Sequence, residues 1–160
     1  MPNADQLSPP KLALNYFLPY RLVALADLAS RIISQIYRDG FELTRPEWRI
    51  IASLEELGPV SATDICAHST QDKMTVSRAV ASLESKALLI RRNTPQDRRN
   101  KLLELTQAGH EFYQQIVPLI LTQEAELLAV LSETERKNLD SLLIKLQKKA
   151  ETMMQGDRAG

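Results

Sequence analysis

Residues 71–101 read QDKMTVSRAVASLESKALLIRRNTPQDRRNK, and they divide into two pieces of different period. From Asp72 to Ala87 the apolar residues Val76, Ala79, Val80, Leu83 and Ala87 recur at steps of three and four. That spacing predicts one buried face of a helix. Asp72 is placed to cap it, with Thr75 at the third helical position. The opposite face carries Lys73, Thr75, Ser77, Arg78, Ser82 and Ser85, short hydroxyls and two cations. After Leu88-Leu89-Ile90 come Arg91-Arg92 and the turn-forming run Asn93-Thr94-Pro95-Gln96-Asp97. Arg98-Arg99-Asn100-Lys101 then leads into Leu102-Leu103-Glu104-Leu105, where Leu103 and Leu105 alternate with Glu104 as on a half-buried strand. The second piece therefore reads as a two-stranded hairpin with a long basic tip.

Charge singles out the same stretch. It holds eight basic residues against three acidic ones, a net +5, in a chain of 20 basic and 20 acidic residues. The remainder carries −5. A neutral protein with its positive charge gathered in one segment has a polarised surface suited to a polyanion. Small hydroxyls let a helix sit deep in a groove, and an Arg among them can meet a guanine edge bidentately.

A recognition-type helix followed by a basic hairpin is a winged helix-turn-helix. In Asp97-Arg98-Arg99, Thr106 and Gly109, and upstream in Asp72-Lys73, Val76-Ser77-Arg78, Leu83-Glu84 and Leu88-Leu89, the chain resembles the MarR family of transcription regulators. The likeness runs over about residues 18–150 by element order. Thr70 and Ala87 stand where that family commonly has Gly; a positive φ at either would cost on the order of 1 kcal/mol. The resemblance implies a mainly α fold: a winged core flanked by long helices that form a dimerisation region. It also implies a wing Arg99 held by Asp97, and a cavity for small aromatic acids.

The rest of the chain fits that plan. Pro19 suits the first turn of a helix whose stripe is Leu22, Leu25, Leu28 or Ala29, Ile32, Ile33 and Ile36, ending at Asp39-Gly40. Thr44 and Glu47 form a capping box ahead of Trp48, Ile51, Leu54 and Leu57; Ser61 and Asp64 form another ahead of Ala62–His68, with Ile65 and Cys66 inward. Thr106 opens a helix with Phe112, Tyr113, Ile116, Leu119 and Ile120, expected to bend at Pro118 and to run on to Leu131. Ser132 and Glu135 open the last helix, with Leu139, Leu142, Leu143, Leu146, Ala150 and Met153. The expected organisation is an arm and first dimerisation helix (1–43), a winged core (44–105) and C-terminal dimerisation helices (106–160). The flanking apolar faces, and Leu12, Leu14, Tyr16, Phe17 and Leu18 before them, call for a second copy to cover them.

Composition excludes several classes. No apolar run is long enough to span a bilayer, and the start MPNADQLSPP lacks the form of a signal peptide. One cysteine makes no internal disulfide, so a cytoplasmic location is expected. His68 and His110 lack ligand-spaced partners and read as surface or cap residues, so no metal is expected. No phosphate-binding or hydrolase motif appears, and neither cofactor nor enzymatic activity is expected.

The expected function is a homodimeric DNA-binding transcription regulator, of repressor type, acting on a pseudo-palindromic duplex and modulated by a small effector. Its DNA-contacting residues are Lys73, Thr75, Ser77, Arg78, Arg91, Arg92, Asp97, Arg98, Arg99 and Lys101. The effector cavity is assigned Tyr16, Tyr20, Tyr37, Trp48 and Arg49, although each aromatic also reads as core. Cys66 reads as a buried structural thiol. The alternative function is a winged-helix adaptor that binds protein and does not read DNA; it has no need of Asp97-Arg98-Arg99 or of the hydroxyl-lined face.

Overall fold

The computed structural model describes residues 11–93 and 101–156. After a single 3-10 turn at Leu14–Tyr16, the elements are α1 (Leu18–Asp39), α2 (Arg45–Leu57), β1 (Val60–Ser61), α3 (Ala62–Ser69), α4 (Lys73–Ser85), β2 (Leu89–Asn93), β3 (Lys101–Leu105), α5 (Gln107–Leu128) and α6 (Glu133–Gly156). The chain forms two compact units, Met1–Ile116 and Val117–Gly160, and the divide falls inside α5 beside Pro118.

In the first unit the core is built where α2, α3 and α4 meet the small sheet. Ile50, Ile51, Leu54, Ile65, Val76, Val80, Leu83, Leu89, Leu103 and Leu105 are all buried. The sheet order is β1-β3-β2, all antiparallel, with Leu89 opposite Leu105 and Arg91 opposite Leu103. The hairpin was expected with two strands; β1 adds a third, too short to carry a period of its own. Leu57 was expected on the buried side of α2, but it is 41% exposed and Ile50 takes that role.

Aromatic stacking joins α1, α2 and the start of α5. Trp48 lies between Tyr37, at 6.1 Å and 15°, and Tyr113, at 5.8 Å and 14°, while Phe41 meets Phe112 edge to face. Each such pair contributes about 0.5–1.5 kcal/mol beyond area burial. The expected stripe on α1 is largely uncovered. Leu22, Leu25, Leu28 and Ile32 are exposed, as are Leu12, Leu14, Tyr16, Phe17 and Leu18, and Tyr37 is the helix's one buried residue.

Within the second unit, α5 ends at Leu128 rather than Leu131. The turn closes through the Leu131 N–H bonded to the Leu128 carbonyl, and Ser132 and Glu135 cap α6. No residue of α6 is buried, although Leu139, Leu142, Leu143, Leu146 and Met153 line up along it.

Candidate nucleic-acid interface and effector cavity

Helix α4 is held by its ends. At its start the Asp72 carboxylate accepts the Thr75 N–H at 2.9 Å and the Thr75 hydroxyl at 2.6 Å. The Thr75 hydroxyl, then its N–H, hold the Asp72 carboxyl below the usual range. At its other end Ser82 and Lys86 reach Glu47 of α2. Glu47 is 1% exposed, and its Oε1 accepts the Ser82 hydroxyl at 2.6 Å and Lys86 Nζ at 2.8 Å. Its Oε2 accepts the Thr44 N–H at 2.6 Å. Burial pushes the Glu47 carboxyl up, but Lys86, Ser82 and Thr44 together outweigh it, and the group sits below its ordinary value. A buried carboxylate with this many donors is satisfied and ties α2 to α4. Ser82 thus faces inward, a correction to its expected place on the polar face. Ala87 is also corrected: it lies beyond the helix, exposed, at φ +56°, and not on the apolar stripe.

The outward face of α4 consists of Lys73, Met74, Ser77, Arg78, Ala81 and Ser85, all exposed. Thr75 is half-buried and its hydroxyl is committed to the cap. Arg91 of β2 donates Nε to both oxygens of Glu84, at 2.9 and 3.0 Å, which fastens the wing to α4. Arg92 Nε stands 2.5 Å from Glu104 Oε2. That contact is an ion pair of charges, since the oxygen is buried and accepts no well-angled hydrogen bond. Lys101 is exposed opposite Asn93. Asp97, Arg98 and Arg99 lie outside the described residues.

Two tight junctions set the angles around α4. Thr70, between α3 and α4, has φ +55°. Arg49 of α2 donates to the Ser69 carbonyl at 3.2 Å and to the Thr70 hydroxyl at 3.5 Å. After Ala87, the Thr106 hydroxyl donates to the Ala87 carbonyl at 2.7 Å and accepts the Gly109 N–H at 3.1 Å. A Cβ on Gly109 would stand 2.2 Å from the Leu88 carbonyl oxygen, so only Gly lets α5 approach there.

Of the effector residues, Tyr37, Trp48 and Arg49 come together. With Ala29, Ser30, Ile33 and Arg45 they line a cavity of about 240 Å³. Burial raises the Tyr37 hydroxyl, opposed by Arg45, Arg49 and Arg38. Burial, then the neighbouring Arg45, lowers Arg49, while Tyr37 opposes both. Arg45 and Tyr37 also edge a larger depression of about 710 Å³ with Asp27, Arg31 and Arg38. Tyr16 and Tyr20 are exposed and are not in either lining.

Cys66 was expected to be buried and is half-buried, in a recess with Lys73 and Arg91. Helix α3 is short and its inward side is filled by Ile65 and Ser69. His68 meets Ser53 and Glu56, and His110 meets Glu55. Among the described residues no three His, Cys, Asp or Glu side chains gather as metal ligands, and no single helix is long and apolar enough to cross a membrane.

Sequence reasoning missed Met74 and Arg45, and it saw Glu47 only as a cap partner. Arg45 had a signal, an Arg one turn before Arg49. The burial of Glu47 had none nearby, because its partners lie 35 and 39 residues away.

The MarR family model matches residues 43–101. The transcriptional regulator YwoH of Bacillus subtilis is 28% identical over 99 residues, covering 62% of this chain and 72% of that protein. A MarR/EmrR family regulator from Acinetobacter sp. ADP1 superposes with TM-score 0.80 at 28% identity, over 88% of this chain and 99% of that one. BpsR of Bordetella bronchiseptica, whose DNA binding is regulated by 6-hydroxynicotinic acid, shares the fold with TM-score 0.77 at 23% identity, over 86% and 98% of the two chains. The matched segment spans α2, β1, α3, α4 and β2, and in that segment and in its fold the chain is similar to transcription regulators of the MarR family.

Proposed function

We propose that the protein is a homodimeric regulator that reads a pseudo-palindromic duplex with α4 and the wing, and is modulated there by a small aromatic acid. The observation that carries this reading is the outward face of α4. It presents Lys73, Ser77 and Arg78 to solvent while Glu47 of α2 and Arg91 of β2 hold the helix through Ser82 and Glu84. Lysines and arginines neutralise phosphates and set register, and Arg78 reads a base edge. Arg99, which the family resemblance pairs with Asp97, is assigned to the minor groove, whose narrow stretches have enhanced negative potential. Two copies present paired helices about 34 Å apart, matching half-sites one helical turn apart.

The cavity at Tyr37, Trp48 and Arg49 suits a flat acid: an aromatic wall, with Arg45 and Arg49 for a carboxylate. Arg49 also bonds the α3–α4 turn, so a ligand there competes with a contact that orients α4. Such a ligand changes DNA affinity only through its differential affinity for the two arrangements. The regulation of BpsR by an aromatic acid supports this reading.

The test is selection from random duplex followed by fluorescence anisotropy on the selected and a scrambled site at several salt concentrations. Arg78→Ala is expected to cost about 1–3 kcal/mol and relax one position per half-site. Arg99→Ala should weaken sites with A-tract flanks most, and Asp97→Ala should reproduce part of that loss. If no variant matters and no sequence is selected, the adaptor alternative replaces this reading.

A further inference from the structure

Met74 stands out on α4. It is 62% exposed, against 41% for Leu57 and 40% for Ile90, the other exposed large apolar side chains described in the winged core. It is the second residue of the helix, after Lys73. At spacings of three, four and seven it shares a stripe with Ser77, Arg78 and Ala81, all exposed, while Val76, Ala79, Val80 and Leu83 fill the buried side. The core has no place for this side chain. The outward stripe otherwise consists of small or cationic groups, so Met74 is its one long apolar probe.

From these positions the geometry points to Met74 as a specificity-determining residue that contacts the C5-methyl of a thymine in each half-site. The inference rests on α4 entering the major groove, as proposed above. The floor of that groove is a field of hydrogen-bond donors and acceptors, and its apolar feature is the thymine methyl. A thioether chain with three rotatable bonds and a polarizable sulfur adapts to such a target. Residues near the start of a recognition helix are those that reach base edges. Met74 and Arg78 are four residues apart, about 6 Å of helix, which is about two base-pair steps. The thymine therefore lies near the base that Arg78 reads.

The experiment begins with a site selected by the wild-type protein. Each thymine of the half-site is replaced in turn by uracil, which removes only the methyl, and affinity is read by anisotropy for wild type, Met74→Ala and Met74→Gln. One uracil position is expected to weaken wild-type binding by about two- to fivefold, the value of one buried methyl. At that position both variants should bind thymine and uracil equally. 5-Methylcytosine there should bind wild type more tightly than cytosine. Circular dichroism melts of both variants should match wild type, since the side chain is exposed. The proposal is overturned if no uracil position weakens wild type, or if the uracil penalty persists in both variants. If the wild-type protein selects no sequence, the reading of α4 falls and this assignment falls with it. A selected site without methyl dependence overturns the Met74 assignment alone.

Discussion

Glu47 of α2 ties down the C-terminal end of α4. Its carboxylate is buried, and Lys86, Ser82 and Thr44 satisfy it. Glu47→Ala strands those donors and is expected to cost about 2–4 kcal/mol in urea unfolding. Because its carboxyl is held below the ordinary value, Glu47 contributes fully above its unfolded value of about 4.3, and that contribution is lost as pH falls through the lower folded value. Glu47→Gln should therefore flatten the acid side of the stability profile, seen in unfolding midpoints from pH 6 to pH 3. Gly109 makes a different demand. Gly109→Ala drives a Cβ into the Leu88 carbonyl and should cost about 1–3 kcal/mol, whereas Ala87→Gly relieves a left-handed backbone and should gain up to about 1 kcal/mol.

At the scale of elements, Arg91 ties β2 to α4 through Glu84. Both side chains are about a third exposed, so Arg91→Ala should cost under about 1 kcal/mol of stability. It should weaken DNA binding more than Arg92→Ala, whose partner Glu104 lies on β3 within the hairpin. Lys101→Ala should lower affinity for all sequences and reduce the salt slope by about one. Anisotropy on matched and scrambled duplexes separates these effects. The helices were legible from sequence because apolar period agreed with capping boxes at Thr44, Ser61 and Ser132 and with the Asp72 cap. Ser82 was misread because it borders the apolar stripe, and its direction is decided by Glu47 on another helix. Strand β1 has two residues, too few for a pattern. Tyr37, Trp48 and Arg49 share one lining, while Tyr16 and Tyr20 are exposed and apart from it, since aromatic character alone carries no address.

Across the whole molecule, the uncovered apolar residues of α1 and α6 set the expected assembly state. Sedimentation equilibrium at low micromolar concentration should give twice the 18.0 kDa chain mass, and a well-folded monomer would defeat the dimer. Polar substitution at Leu142 or Leu146 should shift the association without altering the melting of the winged core. The chain holds a single tryptophan, and it lies stacked between two tyrosines in the wall of the Arg49 cavity. The protein therefore carries a built-in optical reporter. Its indole emission comes from one place and needs no label. An aromatic acid entering beside Trp48 should quench or shift that emission in proportion to occupancy, and displacement of either tyrosine should be recorded in the same signal.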